Sequence, residues 1–221
     1  MDSTLAAWAA ADEFLADTLV GHDTALERAL DAQRAAGLPE IEVAPVAGKL
    51  LNLIARIAGA GRVLEIGTLG GYSTIWLARA VGEGGRVVTV EAEPDNAAVA
   101  RASIDAAGVG GRVDILVGRG EHVLPGLEGG EPFDLVFIDA DKESNTLYLD
   151  WAARLGRPGT VVVLDNVGRE GEIVRDDSDD PKVVGTRDGL RMLGEDPRFD
   201  ATALQTVGVK GWDGVAIALV V

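Results

Sequence analysis

The chain contains no cysteine, which excludes disulfides, a thiolate nucleophile and a thiolate zinc site. Histidine is nearly absent too: His22 and His122 are the only two, neither has an obvious triad partner, and hydrolase chemistry of the Ser-His-Asp type finds no support. Aromatic residues make up 5% of the chain, and four lysines stand against sixteen arginines. No uncharged apolar run approaches the roughly 18 residues that a membrane span requires. Basic charge is in short supply: 20 Lys and Arg face 36 Asp and Glu, for a formal net charge of −16. Nucleic acid and anionic membrane surfaces both demand a basic patch, so neither is an expected partner. From Met1-Asp2-Ser3 to Asp12-Glu13 there is neither the basic flank nor the long apolar centre of a secretory leader. The expected location is the cytoplasm.

What the chain does have is apolar bulk. Hydrophobic residues are 47% of 221, enough for one well-buried α/β domain covering 1–221. Residues 3–36 are alanine-rich, with charges spaced as in amphipathic helices, and Gly21-His22 should break them in two. A third helix is predicted from Pro45 to Ala58, Pro45 suiting a first turn, with Leu50, Leu53, Ile54 and Ile57 on one apolar face. These helices, residues 1–58, should pack on a core spanning 62–221. From Arg62 onward strands (62–66, 86–91, 113–117, 133–138, 160–164) alternate with helices (71–82, 95–107, 142–155), which means parallel pairing through right-handed crossovers. A further helix is predicted at 186–194 and two last strands at 201–207 and 214–220.

Ligands of open α/β sheets bind beyond the carboxyl ends of the strands. The first strand, Val63-Leu64-Glu65-Ile66, runs into Gly67-Thr68-Leu69-Gly70-Gly71-Tyr72-Ser73. Glycines there let backbone approach a ligand closely, and Ser73 falls in a first helical turn, where free amides and a hydroxyl can hold a carboxylate. Leu69 stands where the dinucleotide fingerprint needs its second glycine, which disfavours a pyrophosphate cofactor; a plain connecting turn is the alternative. Glu91 ends the second strand and can accept both hydroxyls of a ribose. A solvated strand-end acid is the other reading, with Glu93 a rival.

Two more strands end in oxygen ligands: Asp139 after Phe137-Ile138, and Asp165-Asn166 after Val163-Leu164. Adjacent strands lie about 5 Å apart, so these side chains can meet at one hard divalent ion, magnesium first, with manganese or calcium also suited. Capping of the following segments is the competing role. Lys142 lies three residues after Asp139, where a helix start ordinarily favours acids. Close to a cation its ammonium would be destabilised, freeing it to accept a proton.

Taken in order, Glu65 to Ser73, Glu91, Phe137-Ile138-Asp139-Ala140-Asp141-Lys142, and Arg157-Pro158-Gly159 leading to Asp165-Asn166-Val167 resemble cation-dependent O-methyltransferases, similar to the catechol and caffeoyl-CoA enzymes. The resemblance spans about residues 40–221. It implies a Rossmann-like class I methyltransferase fold: a seven-stranded, mostly parallel sheet, its last strand antiparallel, with helices on both faces. It also implies S-adenosylmethionine (SAM) as cofactor. Glu65, Gly67 and Ser73 would surround the methionine part, with Val43 lining the pocket ahead of the first strand. Glu91 would hold the ribose, Gly120 and Glu121 would lie beside the adenine, and Asp141 near the amino group. Asp139, Asp165 and Asn166 would bind the metal, Asp139 also lying against the cofactor, and Lys142 would act as base. The chain departs from common patterns at Ser144-Asn145-Thr146, at Val167-Gly168-Arg169-Glu170-Gly171 and at Arg119, which bear on the substrate more than on the chemistry.

The expected reaction is methyl transfer to a vicinal-dihydroxy phenolic small molecule. A metal-independent methyltransferase of the same fold and a non-catalytic cofactor-binding protein stay open as alternatives. The loop at about 167–185 should cover the acceptor, and its Asp176–Asp180 run reads as a solvated acidic surface or a second ion site. Trp212 could stack on an aromatic acceptor or belong to the rim. The family implies a homodimer.

Overall fold

The computed structural model describes residues 3–221; Met1 and Asp2, where the reading of the leader begins, lie outside the described residues. Among the described residues no helix is long and apolar enough to cross a membrane. Helices α1 (Ser3–Leu15) and α2 (Thr24–Ala35) are separated by a π-helical turn, Ala16–Val20, that ends at Gly21 with φ 74°. Asp23 then caps α2, its carboxylate accepting from the Ala25 and Leu26 amides.

Helix α3 (Pro45–Ile57) corrects the sequence-based face. Leu50, Leu53 and Ile57 are exposed, Ile57 at 85%, while Gly48, Leu51, Asn52 and Ala55 are buried. The cause is close packing on α4 (Tyr72–Ala80). A side chain at Gly48 would sit 2.4 Å from Trp76 Nε1, and Asn52 Nδ2 donates to the Trp76 carbonyl at 2.9 Å. Helices this close need small residues between them, so the bulky face turns outward.

Seven strands form one sheet: β1 (Arg62–Ile66), β2 (Arg86–Glu91), β3 (Val113–Val117), β4 (Leu135–Ile138), β5 (Val161–Asp165), β6 (Phe199–Gly208) and β7 (Gly211–Val220), in the order β3-β2-β1-β4-β5-β7-β6. Strands β1 to β5 pair in parallel with one another, and β7 is antiparallel to both β5 and β6. Strand β4 is shorter than expected because Asp134 turns its carboxylate to the Gly61 and Arg62 amides, both at 2.9 Å. The remaining helices are α5 (Pro94–Ala106), the single turn α6 (Gly120–Val123), α7 (Asn145–Leu155) and α8 (Pro181–Glu195). Lys142–Ser144 form a separate 3-10 turn ahead of α7 rather than its first turn. Helix α8 starts five residues earlier than predicted: Asp180 caps it at the Lys182 amide, and Asp176 pairs with Arg187, which accounts for two acids of the 176–180 run.

Side chains alternate across the buried strands. Val63, Val87, Leu135 and Val163 pack under α2 to α5, while Leu64, Val88, Val136 and Leu164 pack under α7 and α8. Glu65 shares the parity of Val63 and therefore points toward α4. Strand order reverses between β1 and β4, each of which is followed by a turn that opens the sheet edge there.

Candidate functional site

A cavity of ≈ 580 Å³ lies at that edge, lined by the turn after β1, the ends of β2 and β4, and the segment before α3. The turn is held from below. Glu91 Oε2 accepts from the Thr68 and Leu69 amides at 3.1 and 2.8 Å, and its Oε1 from the Glu93 amide and Asn96 Nδ2 at 3.0 and 3.2 Å. That clamp keeps Leu69, at φ 50°, in left-handed backbone. Gly67 has φ 101°, and a Cβ there would stand 2.0 Å from the Asp139 carbonyl oxygen. Gly67→Ala therefore both strains the backbone and drives β4's end away. It is expected to cost about 3 kcal/mol or more, lowering the melting temperature by roughly 6–12 °C, as differential scanning calorimetry would read.

Ser73 and Glu65 form one unit. Glu65 is fully buried and takes the Ser73 hydroxyl on Oε1 at 2.6 Å and those of Thr74 and Thr89 on Oε2 at 2.5 and 2.7 Å. Burial pushes its carboxyl up to about 7, the three hydroxyls pull the other way, and the charge of Asp139 adds to the rise. Ser73 lines the cavity; Glu65 supports the floor from beneath.

Val43 lines the opposite wall, with Gln33, Ile41 and Glu42 beside it. Gln33 Nε2 donates to the Pro39 carbonyl at 2.8 Å and to Glu42 Oε2 at 2.7 Å, which turns its Oε1 toward Gly70. At the far end Gly120 makes room for Tyr148, whose ring a Cβ would meet at 2.6 Å. Tyr148 in turn donates its hydroxyl to Asp141 Oδ1 at 2.5 Å, and burial together with that acid pushes the phenol above its ordinary value. Glu121 is not brought to the cavity; it pairs with Arg119 Nε at 3.2 Å.

Asp139 and Asp165 follow Ile138 and Leu164, partners in the β4–β5 register, and of the two only Asp139 lines the cavity. Burial first, then the negative charge of Asp139, pushes the Asp165 carboxyl up to about 7, while Lys142 and the Asn166 amide oppose the rise. Lys142 is buried, and its Nζ lies 2.8 Å from Asp139 Oδ1. Asn166 has φ 58°, a conformation asparagine tolerates better than most residues, and together with Asp139 and Lys142 it lines the cavity. Among the described residues no group of three or more His, Cys, Asp or Glu gathers, so the donor set is two carboxylates and an amide. Two half-buried acids that repel each other and an all-oxygen donor set suit a hard divalent ion.

Several lining residues escape sequence reading. Tyr148 reads there as an ordinary core position of α7, and Gln33 lies in α2, far from any motif; only the fold carries them to the cavity. Arg169, in the segment after β5, and Lys182, in the first turn of α8, also line it. Trp212 does not. Its ring packs against Gly171, and its Nε1 donates to Gln205 Oε1 at 2.9 Å.

A family model described as O-methyltransferase matches residues 20–219. A catechol O-methyltransferase of Mycobacterium tuberculosis is 58% identical over 209 residues, covering 95% of this chain and 94% of that one. The crystal structure of an O-methyltransferase from Bacillus cereus in complex with SAH has a TM-score of 0.96 at 48% identity, over 98% of this chain and 100% of that one. The O-methyltransferase TomG from Streptomyces achromogenes, involved in tomaymycin synthesis and solved in complex with SAM, has a TM-score of 0.95 at 44% identity, over 100% and 99%.

Proposed function

This chain belongs to the O-methyltransferase family and is a SAM-dependent enzyme, and we propose that it methylates one hydroxyl of a vicinal-dihydroxy phenol with the help of a divalent cation. The observation that carries this reading is that Asp139, Asn166 and Lys142 line one cavity, with Asp165 next to Asp139 across the β4–β5 register, while the other walls suit a nucleoside-sized ligand.

SAM, when bound, supplies an electrophilic methyl group on its sulfonium. Glu91 stands at the end of β2 to receive the ribose hydroxyls, Ser73 and the free amides of α4's first turn face the amino-acid end, and Asp141, steadied by Tyr148, offers a carboxylate to its ammonium. Val43, Gly67 and Gly120 shape the walls around it, and Glu121, paired with Arg119, stays at the rim. Asp139, Asp165 and Asn166 would hold the cation, which when bound would lower the pKa of a chelated hydroxyl. Lys142 Nζ receives that hydroxyl's proton, and Asp139, in contact with it, fixes where the amine stands. Holding oxygen, methyl and sulfur in line supplies much of the rate.

The homodimer belongs to this reading as well, supported by the exposed apolar residues Leu50, Leu53 and Ile57 of α3. So does a cytoplasmic location.

The test is a set of matched acceptors with methyl-labelled SAM. A catechol should be turned over at least about a hundredfold faster than the corresponding monophenol, since only vicinal oxygens chelate. Equal rates on both would overturn the vicinal-diol reading.

A further inference from the structure

Four basic side chains line the cavity: Arg119, Lys142, Arg169 and Lys182. Arg119 is paired with Glu121 and Lys142 with Asp139. Among the described residues the Arg169 and Lys182 side chains have no partner, in a protein whose acids outnumber its bases 36 to 20. Arg169 is half-buried, and its Nε is sealed from solvent with no acceptor among the described residues. The cavity's own carboxylates do not answer either cation. Glu42 serves Gln33 and Lys210, Glu91 serves the glycine turn, Asp141 serves Tyr148 and Ser144, and Glu143 lies beyond ion-pair distance.

Arg169 is also held in place. Its backbone has φ 48°, followed by Glu170 at 53° and Gly171 at 83°. Asp213 Oδ1 pins this turn by accepting from the Gly168, Arg169 and Gly214 amides at 2.9, 3.1 and 2.9 Å. Trp212 closes over Gly171, where a Cβ would meet the ring at 2.7 Å. Left-handed backbone at a non-glycine residue persists only where the surroundings enforce it, and it concentrates at ligand sites. Here the enforced turn delivers a guanidinium to the cavity three residues beyond Asn166.

We infer that this wall reads a carboxylate on the methyl acceptor: Arg169 takes it with its planar fork, and the exposed Lys182 adds positive charge on the solvent side. The inference rests on the vicinal-diol reading above and narrows it to acid-bearing catechols, the diol facing Asp139, Asp165, Asn166 and Lys142 and the acid facing Arg169.

The experiment compares 3,4-dihydroxybenzoate with its methyl ester, equal in ring and diol and differing in charge. In the unaltered enzyme kcat/KM for the acid should exceed that for the ester by at least tenfold. Arg169→Gln should cut that ratio tenfold or more, through the acceptor's KM and not through that of SAM. Arg169→Lys should restore part of it, and Lys182→Met should lower it by about threefold, in keeping with an exposed charge. A ratio near one in the unaltered enzyme, an equal loss on both acceptors, or a loss confined to the KM of SAM would each overturn the inference while leaving catechol methylation standing. If neither compound is methylated, it is the vicinal-diol reading that fails. Calorimetric titration of 3,4-dihydroxybenzoate into SAH-saturated enzyme then still reads the subsite: tenfold weaker binding in Arg169→Gln supports it, and equal binding overturns it.

Discussion

Lys142→Met is expected to lower kcat by about 10²–10⁴, the range over which a positioned proton acceptor contributes, while SAM binding is retained. Methionine is close to lysine in length and apolar, so it fills the buried channel that the lysine stem occupies. What it removes is the amine 2.8 Å from Asp139. Glu91, Ser73 and Asp141, the groups proposed for the cofactor, are held by other partners: the Thr68 amide, Glu65 and Tyr148. Product formation followed by chromatography, alongside calorimetric titration with SAM, separates the two effects. Turnover equal to that of the unaltered enzyme would remove Lys142 as base. Loss of SAM binding in step with turnover would make it part of the cofactor site instead.

Removing the divalent cation should have a comparable effect. Treatment with a chelator is expected to reduce turnover about a hundredfold or more, with recovery on adding magnesium. Undiminished activity after exhaustive chelation would leave a metal-independent methyltransferase of the same fold. The acids involved also predict a pH dependence with a definite sign. Asp165 rises from an ordinary 3.8 to about 7 in the folded protein, through burial and the charge of Asp139. The folded state therefore holds a proton between those values that the unfolded chain has released, so cation-free stability falls as pH climbs from about 4 through 7. Glu65, raised from 4.5 to about 7 by burial, acts in the same direction. Asp165→Asn should flatten the slope only in part, leaving the share of Glu65. Because an ion has to displace the Asp165 proton, the apparent affinity for magnesium should rise as pH passes through 7. Melting curves with and without magnesium from pH 5 to 8 would show both trends, and a melting temperature independent of pH across that range would contradict them.

The strands were legible because each is a short apolar run bounded by glycine or charge, and the alternation of strands with helical segments left few topologies. Helix faces were harder. The bulky residues of α3 obey the period of a helix, but burial there is governed by how near α4 comes, and Gly48 and Asn52 carry that information only through Trp76, some two dozen residues away. The start of α8 was missed because Val183 to Gly185 reads as a weak helix, while its actual anchor is the cap at Asp180. At the site, motif residues that follow strand ends are placed by the sheet register itself, which is why the adjacency of the β4 and β5 ends, before Asp139 and Asp165, could be expected in advance. Arg169 could be named as a departure but not located. Its position depends on an aspartate of β7 more than forty residues away that organises a turn, and nothing local in the sequence announces such a partner.

The amide of Gln33 over Gly70 has an evolutionary corollary. A side chain at 70 would strike Gln33 Oε1 at 2.6 Å, and Gln33 cannot easily swing aside while Pro39 and Glu42 hold its nitrogen. The leading helices and the cofactor turn are therefore complementary parts of one mould, and grafting residues 20–44 of a relative onto this core should succeed only when positions 33 and 70 travel together. A library randomised at both should return pairs in which a larger residue on one side is matched by a smaller one on the other.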